Sequence, residues 1–539
     1  MRHFVSNMDT EGAAFAANRA AMLALIEAWR AVEARAETAS HKAQSRFAAR
    51  GQLLPRERVA LLLDQGAPFV PIANLAGYGH DTADLAHSVA GAGIIAGIGM
   101  VSGVRVMVSA SDSGIEAGAL QPFGLDKQLR VQALALENKL PYLQLVESAG
   151  ANLMRYRVGD FIRGGALFRN LALHSAAGLP VITVTHGSST AGGAYQTGLS
   201  DYIIMVRGRT RAFLAGPPLL KAATGEIATE EQLGGADMHT SISGLGDYLA
   251  EDDREAIGIA RQIVKNLDWN RGRLPEARCF ARPALPVEDL VGLMPADLRQ
   301  PVDMREIVAR LVDGSEYLEF SARYGAATLC LNAHIGGMAV GIITNNGPLD
   351  PAGANKVTHF IQACCQAGTP LIYLQNTTGF FVGRAFEEAG MIKHGSKMIQ
   401  AVASASVPQI TIHCGASYGA GNYAMAGRGF APRFAFSWPN ARTAVMGGEQ
   451  AAETMAIVQE SIMEKRGQKL DSAMRTKMKS EIIDLFEGQA DALTLSAQVL
   501  DDGIIDPRDT RPMLIECLRI CAEAEARELR PLPFSVARP

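Results

Sequence analysis

The chain has 539 residues, 48% of them hydrophobic and 20% charged, with a formal net charge of −4. That length allows two to four domains and a large core. The balance gives no electrostatic case for nucleic acid or an anionic membrane surface, and no apolar run reaches the length of a membrane span. The start, MRHFVSNMDTEG, has neither a signal-peptide apolar core nor an Arg- and Ser-rich transit composition, so a cytoplasmic protein is expected. The cysteines are Cys279, Cys330, Cys364, Cys365, Cys414, Cys517 and Cys521. Their odd number suggests no disulfide framework. Cys517 and Cys521, one helical turn apart, lack a second Cys or His pair to complete a zinc site, so buried reduced thiols and no metal are expected.

In chain order, residues 11–50 are rich in Ala, Glu, Arg and Leu at helical spacing, which predicts a long surface or partner-facing helix. Leu54-Pro55 opens a short helix, RERVALLLD, with Pro in its first turn. Residues 91–111 mix β-branched residues with glycines and predict a hairpin or meander turning near Ser102-Gly103. Gly97, Gly99 and Gly103 do not have the spacing or the following helix of a dinucleotide fingerprint. EDDREAIGIARQIVKNL reads as an amphipathic helix, and Pro275, Pro283, Pro286, Pro295 and Pro301 mark a linker. A second domain starts near VDMREIVARLVDG and ends in a helical tail from Glu449 past Glu525, broken at DDGIIDPRDTRP. The charged run EKRGQK in that tail reads as a solvated face.

Two stretches dominate the chain: LPVITVTHGSSTAGGAY (179–195) and VPQITIHCGASYGAGNY (407–423). Each reads as a buried strand followed by a tight glycine loop. Pro180 to Gly187 and Pro408 to Gly415 both span seven positions; Gly187 to Gly192 and Gly415 to Ala420 both span five. Upstream, LPYLQLVESAG pairs with TPLIYLQNTTG; Pro141 lies 39 positions before Pro180, and Pro370 lies 38 before Pro408. Helix-like stretches precede each strand, and Gly103 in MVSGVRVMVSA matches Gly337 in HIGGMAVGIIT. Several anchors in the same order imply two homologous domains, each with one loop of backbone N–H groups. For a single loop, close helix–strand packing would explain the glycines equally well; the duplication favours a functional loop.

Side-chain catalysts are hard to find. There is no phosphate loop of the GxxxxGK type and no HExxH. GASYG (415–419) matches the GxSxG nucleophile elbow and follows a strand, but the last histidine, His413, precedes Ser417, so the acid-then-His order is not met. Ser188 and Ser189 have no readable His and acid partners, and His186 and His413, beside buried strands, read as structural. Backbone N–H groups at a helix start stabilise a developing oxyanion without proton transfer. Such a loop suits a thioester becoming an enolate, and two suit two partners that each pass through an enolate-like form.

The segments RGQLLPRERVALLLD, SAGANL, STAGGAY, GPPLLKAATGE with LGGADMH, QNTTGFFVG, KHGSKMIQAVA, ASYGAGNYAMAGR and DDGIIDPRDTR together resemble the carboxyltransferase (β) subunits of biotin-dependent acyl-CoA carboxylases over nearly the whole chain. The resemblance implies an α/β protein of two crotonase-like (ClpP/crotonase) β-β-α superhelical domains: 1–275 on the acyl-CoA side and 276–539 on the biotin side. By position, Gly192 and Gly193 match the loop for the acyl-CoA oxyanion, and Ala420 and Gly421 the loop for the biotin oxyanion. It further implies that carboxybiotin, carried on a partner, releases CO2 in the site; the biotin ureido nitrogen takes the substrate proton, and the acyl enolate attacks the CO2. Active sites form between the first domain of one subunit and the second of another, typically in a six-plus-six assembly. This chain has no biotin carboxylase domain and no AMKM-type biotinyl segment; Met478-Lys479 in TKMKSE reads as surface helix. A biotinylated α subunit that uses ATP and bicarbonate is therefore a required partner.

SAGANL and GAGNYAMAG resemble the methylcrotonyl-CoA branch, which carboxylates the γ carbon of a branched 2-enoyl-CoA, more than the propionyl-CoA branch. Within ANLMRYRVGDFIRGGALFRN, Gly164 followed by Gly165 stands where methylcrotonyl members have a Phe before the glycine that leads into a helix. Glycine there is the feature of geranyl-CoA carboxylases, and loss of a ring admits a longer apolar tail. Phe380 and Phe381 are candidates to line the same pocket. Geranyl-CoA is the lead substrate and 3-methylcrotonyl-CoA the alternative; Gly164 also has the plain reading of a loop glycine required by the backbone. Two further classes remain: a stand-alone crotonase-type hydratase or isomerase, for which Glu147 is the nearest candidate base, and a non-catalytic assembly protein, against which the intact AGGA and GAGN loops argue.

Overall fold

The computed structural model describes residues 2–150, 157–269, 279–295 and 297–537. Two compact units divide the chain. One comprises residues 30–276, 497–499 and 519–539; the other comprises residues 1–29, 277–496 and 500–518. The expected domain boundary at 275/276 lies outside the described residues.

Sixteen strands form two eight-stranded mixed sheets. The second unit also uses the first strand of the chain, β1 (Arg2–His3). In the first unit, β2 (Val70–Pro71), β3 (Ile94–Val101) and β4 (Val104–Ser111) pair antiparallel. The sheet then continues in parallel through β5 (Tyr142–Ser148), β6 (Val181–Thr190), β7 (Tyr202–Val206) and β9 (Tyr248–Ala250). β8 (Arg211–Phe213) pairs with the far end of β6. In the second unit β1, β10 (Glu316–Glu319), β11 (Thr328–Ile335) and β12 (Met338–Asn345) are antiparallel. They are followed in parallel by β13 (Leu371–Thr377), β14 (Gln409–Tyr418) and β15 (Phe434–Ser437), with β16 (Arg442–Ala444) on the far end of β14. This is the expected α/β class, with β2–β8 and β10–β16 in the same order; β1 and β9 are extra edge strands without a counterpart.

Prolines open the matched strands. Lacking an N–H, they stand at strand starts, where only the carbonyl is needed. Pro141 and Pro370 accept from Met107 and Gly341, each across 2.9 Å; Pro180 and Pro408 accept from Tyr142 (2.8 Å) and Leu371 (2.9 Å). Both hairpin turns are of the mirror-image type that matches strand twist: Ser102-Gly103 at φ +50° and +78°, Gly336-Gly337 at φ +60° and +76°. Asp64 accepts from the N–H groups of Ser102 (2.9 Å) and Gly103 (2.7 Å). Asp313 accepts from Gly336 (2.9 Å) and Gly337 (2.7 Å) in the same way.

Helices cover the sheets. The predicted long N-terminal helix is α1 (Ala13–His41), followed after a break by a short helical segment over Gln44–Ala49. α2 (Pro55–Leu62), α3 (Gly124–Glu137), α4 (Val158–Ala176) and α5 (Gly192–Gly198) follow. The amphipathic segment forms α6 (Asp253–Leu267), whose N-cap Asp252 accepts from Glu255 N–H at 2.9 Å. It buries Ile257, Ile263 and Val264 in a core with β4, β5 and β6. In the second unit α7 (Pro351–Ala367) and α8 (Met391–Ala403) pack over β11 and β13 around Phe360, Tyr373 and Met398. α9 (Ala420–Ala424) follows the second glycine loop. The tail is a helical pair, α10 (Gly448–Lys465) and α11 (Ser472–Ala490), joined by ion pairs from Arg475 and Lys479 to Glu453, before α12 (Thr510–Ala526). The EKRGQK run ends α10 and is exposed.

Buried amines are also matched. Lys127 Nζ donates to the carbonyls of Gly91 (3.1 Å) and Ile94 (2.6 Å), and Lys356 Nζ to those of Gly325 (3.5 Å) and Thr328 (2.7 Å). Burial pushes the Lys127 amine down to about 7. The cysteines are free thiols; Cys330, Cys364, Cys414, Cys517 and Cys521 are buried as expected, whereas Cys279 is exposed and Cys365 half-buried. No helix among the described residues is long and apolar enough to cross a membrane.

Candidate active site

The two glycine loops share a backbone path. Ala191 lies at φ +52°, ψ −117°, and its counterpart Gly419 at φ +57°, ψ −148°. The Ala191 N–H donates to Phe213 O (3.1 Å), the last residue of β8; the Gly419 N–H donates to Ala444 O (2.9 Å), the last of β16. For an alanine this left-handed φ is strained, and such strain is held by surrounding structure at functional loops. Gly192 and Gly193 then start α5, and Ala420 and Gly421 start α9. Their N–H groups have no carbonyl one turn back within the helix. Gly192 and Ala420 are exposed.

Neighbouring strands brace each loop alike. β5 and β6 lose register between Val146 and Ser148, and β13 and β14 between Gln375 and Thr377. Ser148 Oγ accepts from Gly150 N–H (3.1 Å), and Thr377 Oγ1 from Gly379 N–H (3.2 Å). A Cβ on Gly421 would fall 2.9 Å from Gly379 Cα, so this glycine is set by close backbone approach. A Cβ on Gly187 would fall 2.7 Å from Glu147, and one on Gly415 within van der Waals overlap of Asn376.

Ser189, Ser417, His186 and His413 are structural, whereas Ser188 is exposed. Ser417 is fully buried between Gln375 Oε1 and Asn422 Nδ2 (2.7 Å), so it is no exposed nucleophile. Ser189 is also fully buried and donates to Gly193 O at 2.9 Å. His413 contacts Ser437 Oγ through Nδ1 (3.3 Å), and burial pushes it down to about 4. His186 Nδ1 lies 2.7 Å from Asp253. Burial, with Arg58 nearby, holds this imidazole below its ordinary range. Arg58 joins Asp253 (3.0 Å) to Glu147 (2.5 Å), which also accepts from Ser113 Oγ (2.8 Å). Glu147 is therefore committed to a buried ion-pair network, not poised as the free base a hydratase needs. Gly97 and Gly99 are packing glycines whose Cβ positions fall on Phe69 and Leu63.

Gly164 and Gly165 are neither loop residues nor the start of a helix. They lie inside α4 at helical φ, and a Cβ on either would meet nothing within 4 Å among the described residues. The reading of Gly164 as a loop glycine is thereby corrected: its backbone is helical, and nothing among the described residues requires glycine at either position. The adjoining residues 151–156, part of the segment that departs from methylcrotonyl members, lie outside the described residues. Further along α4, Phe168 reaches α5: its Cζ is 3.3 Å from where a Gly192 Cβ would be, and its ring meets Tyr195 edge-on at 5.9 Å. Phe380 and Phe381 belong to the unit that holds Ala420 and Gly421. The Phe380 ring packs over Gly395 of α8, and Phe381 stacks on Phe386 at 4.4 Å.

Sequence reasoning missed Tyr195 and Tyr423, which take matched places one turn into α5 and α9 and are each 51% exposed. Their identity across the repeat was the available signal. Gly187/Gly415 and Ser189/Ser417, also identical, are accounted for by packing. The donor set of each loop, backbone N–H groups with no titratable side chain at 191–193 or 419–421, fits an anionic oxygen such as that of a thioester enolate or a ureido group.

A family model described as "Carboxyl transferase domain" matches residues 46–532. The chain belongs to the carboxyltransferase (β) subunits of biotin-dependent acyl-CoA carboxylases. The crystal structure of the Pseudomonas aeruginosa geranyl-CoA carboxylase β subunit is similar over 100% of both chains, at 51% identity and a TM-score of 0.93. The mitochondrial methylcrotonoyl-CoA carboxylase β chain of Dictyostelium discoideum is 46% identical, covering 88% of this chain and 80% of that one. The probable biotin-dependent acyl-coenzyme A carboxylase β2 subunit of Mycobacterium tuberculosis is 46% identical, covering 88% and 89%. The two sheets of this carboxyltransferase are accordingly two crotonase-like halves, and its enzymatic class is that of an acyl-CoA carboxylase subunit.

Proposed function

We propose that this carboxyltransferase carboxylates the γ carbon of geranyl-CoA. The observation that carries the reading is Gly164-Gly165 in the interior of α4. A helix-interior glycine is less favourable than alanine by about 1 kcal/mol, and neither backbone conformation nor packing calls for one here. An open patch beside the loop of Gly192 fits a substrate tail longer than the 3-methylcrotonyl group. The likeness to the geranyl-CoA carboxylase β subunit supports the same reading. The methylcrotonoyl-CoA carboxylase relatives keep 3-methylcrotonyl-CoA as the second reading.

In this scheme the N–H groups of Gly192 and Gly193 hold the thioester oxygen as the acyl group becomes an enolate, and those of Ala420 and Gly421 hold the biotin ureido oxygen. Phe380 and Phe381 lie in the unit that carries the second loop. Carboxybiotin, bound to a lysine of an α subunit that consumes ATP and bicarbonate, supplies both the CO2 and the base. That division of labour fits loops that carry donors and no titratable side chain. We assign a β hexamer within an α6β6 assembly, acting in the cytoplasm.

The test is bicarbonate fixation by this chain with its biotinylated partner and ATP, comparing kcat/KM for geranyl-CoA and 3-methylcrotonyl-CoA. Efficient use of geranyl-CoA, lost in Gly164→Phe, is expected. Turnover of 3-methylcrotonyl-CoA alone would transfer the assignment to the second reading.

A further inference from the structure

We propose that Phe161 is a specificity-determining residue: it forms the far wall of the space for the acyl tail, with Phe168 as the near wall. The inference rests on the reading above, in which the thioester lies at Gly192 and Gly193. On α4, Phe161 precedes Gly164 by three positions and Gly165 by four; Phe168 follows them by four and three. Residues so spaced share one helix face. The two glycines therefore make a gap between two phenylalanines, about 10 Å from end to end at the helical rise per residue.

The near end is anchored, because Phe168 abuts Gly192 and Tyr195. The far end is open: Phe161 is 69% exposed, and Val158, on the same face, is 64% exposed. The charged residues of this turn are paired: Arg163, on the opposite face, with Asp126, and Asp160 with Arg157 across 2.7 Å. An apolar face continuous with the oxyanion loop suits an isoprenoid tail, which has no hydrogen-bonding groups to satisfy. The shorter 3-methylcrotonyl group would end near Phe168 and not reach Phe161.

The experiment uses the assembled carboxylase with wild-type chain, Phe161→Ala, Gly164→Phe and the double variant, measuring KM and kcat for both thioesters. Phe161→Ala should lower the specificity for geranyl-CoA relative to 3-methylcrotonyl-CoA by about tenfold, the scale of losing part of an apolar pocket, with the change in KM. Once Gly164→Phe has closed the gap, adding Phe161→Ala should change the ratio no further, a coupling that a purely structural role would not produce. An unchanged ratio in a wild-type background that uses geranyl-CoA well would overturn this inference alone. So would equal loss on both substrates, or a changed oligomeric state, which would make Phe161 an assembly contact. A wild-type enzyme that rejects geranyl-CoA would overturn the substrate reading and this inference with it.

Discussion

Arg511 holds Asp313 across 2.7 Å as Arg261 holds Asp64 across 2.9 Å, and each arginine also donates to the carbonyl two residues before its aspartate, Leu311 or Leu62. The two aspartates brace the matched hairpin turns, so the repeat reaches from the helix before each hairpin to the helix that closes each sheet. The Arg511–Asp313 pair is the more buried, its side chains 7% and 12% exposed against 33% and 24% for Arg261 and Asp64. Asp313→Ala should therefore destabilise by about 3 kcal/mol, leaving a buried guanidinium without its carboxylate and two turn N–H groups without their acceptor. Asp64→Ala should lose only about 1–2 kcal/mol, because water replaces part of what is removed. Chemical denaturation of the two variants side by side checks the order.

Proline at both Gly192 and Gly193 removes two N–H donors and should abolish acyl-CoA carboxylation; one such donor alone is worth about a hundredfold or more in kcat. Gly192→Ala keeps its donor and brings a Cβ only to within 3.3 Å of Phe168, at the edge of a ring that can give. It should retain most activity. Carboxylation assays on both variants, with melting curves to confirm folding, separate the N–H groups from the shape of the loop.

His413 and Asp501 flank Ser437, which donates to Asp501 across 2.6 Å. Their linkages to pH oppose one another. Buried His413, held down to about 4, stays neutral while the unfolded chain takes up a proton below about 6.5, so its contribution falls as pH drops towards 4. Buried Asp501, pushed up to about 6, stays protonated while the unfolded chain ionises above about 4, so its contribution falls as pH rises. Between about pH 4 and 6 the two slopes cancel in part. Asp501→Asn removes one, and its stability relative to wild type should then fall with decreasing pH by about 1 kcal/mol per pH unit. A stability difference that is flat across this window would contradict the assignment.

Arg58, 2% exposed, is shared by Glu147 and Asp253. Arg58→Met fills its volume but leaves two buried carboxylates without their cation, at an expected loss of about 3–5 kcal/mol. Thermal melting should drop by about 10 °C for a domain of this size. Activity per folded molecule should suffer little, since this network sits behind the strands and not at the loop.

The strands, hairpins and glycine loops were legible because proline, glycine and β-branched residues mark strand starts, turns and buried runs. Three features were not. The equivalence of α2 with the helix Met304–Leu311, and of α6 with α12, escaped the sequence because loop insertions change the offset. It is 228 at Pro180/Pro408 (408 − 180) but 249 at Leu62/Leu311 (311 − 62) and 250 at Arg261/Arg511 (511 − 261). The Arg58–Glu147–Asp253–His186 cluster joins positions with no local pattern, and only the closed sheet brings them together. Gly164 was readable as unusual, but only its place inside α4 separates a helix-interior glycine from one required by a turn.

The first unit is finished by the end of the chain. Leu532 N–H donates to Ala176 O (2.8 Å), and Glu523, buried, binds Arg105 (3.1 Å) and Arg527 (2.9 Å). A ribosome must therefore have moved well past residue 532 before the half made first can close these hydrogen bonds. During synthesis that half waits as an incomplete intermediate, exposed to chaperones and proteases, and a gene cut at the central linker would deliver a fragment without its final stitch.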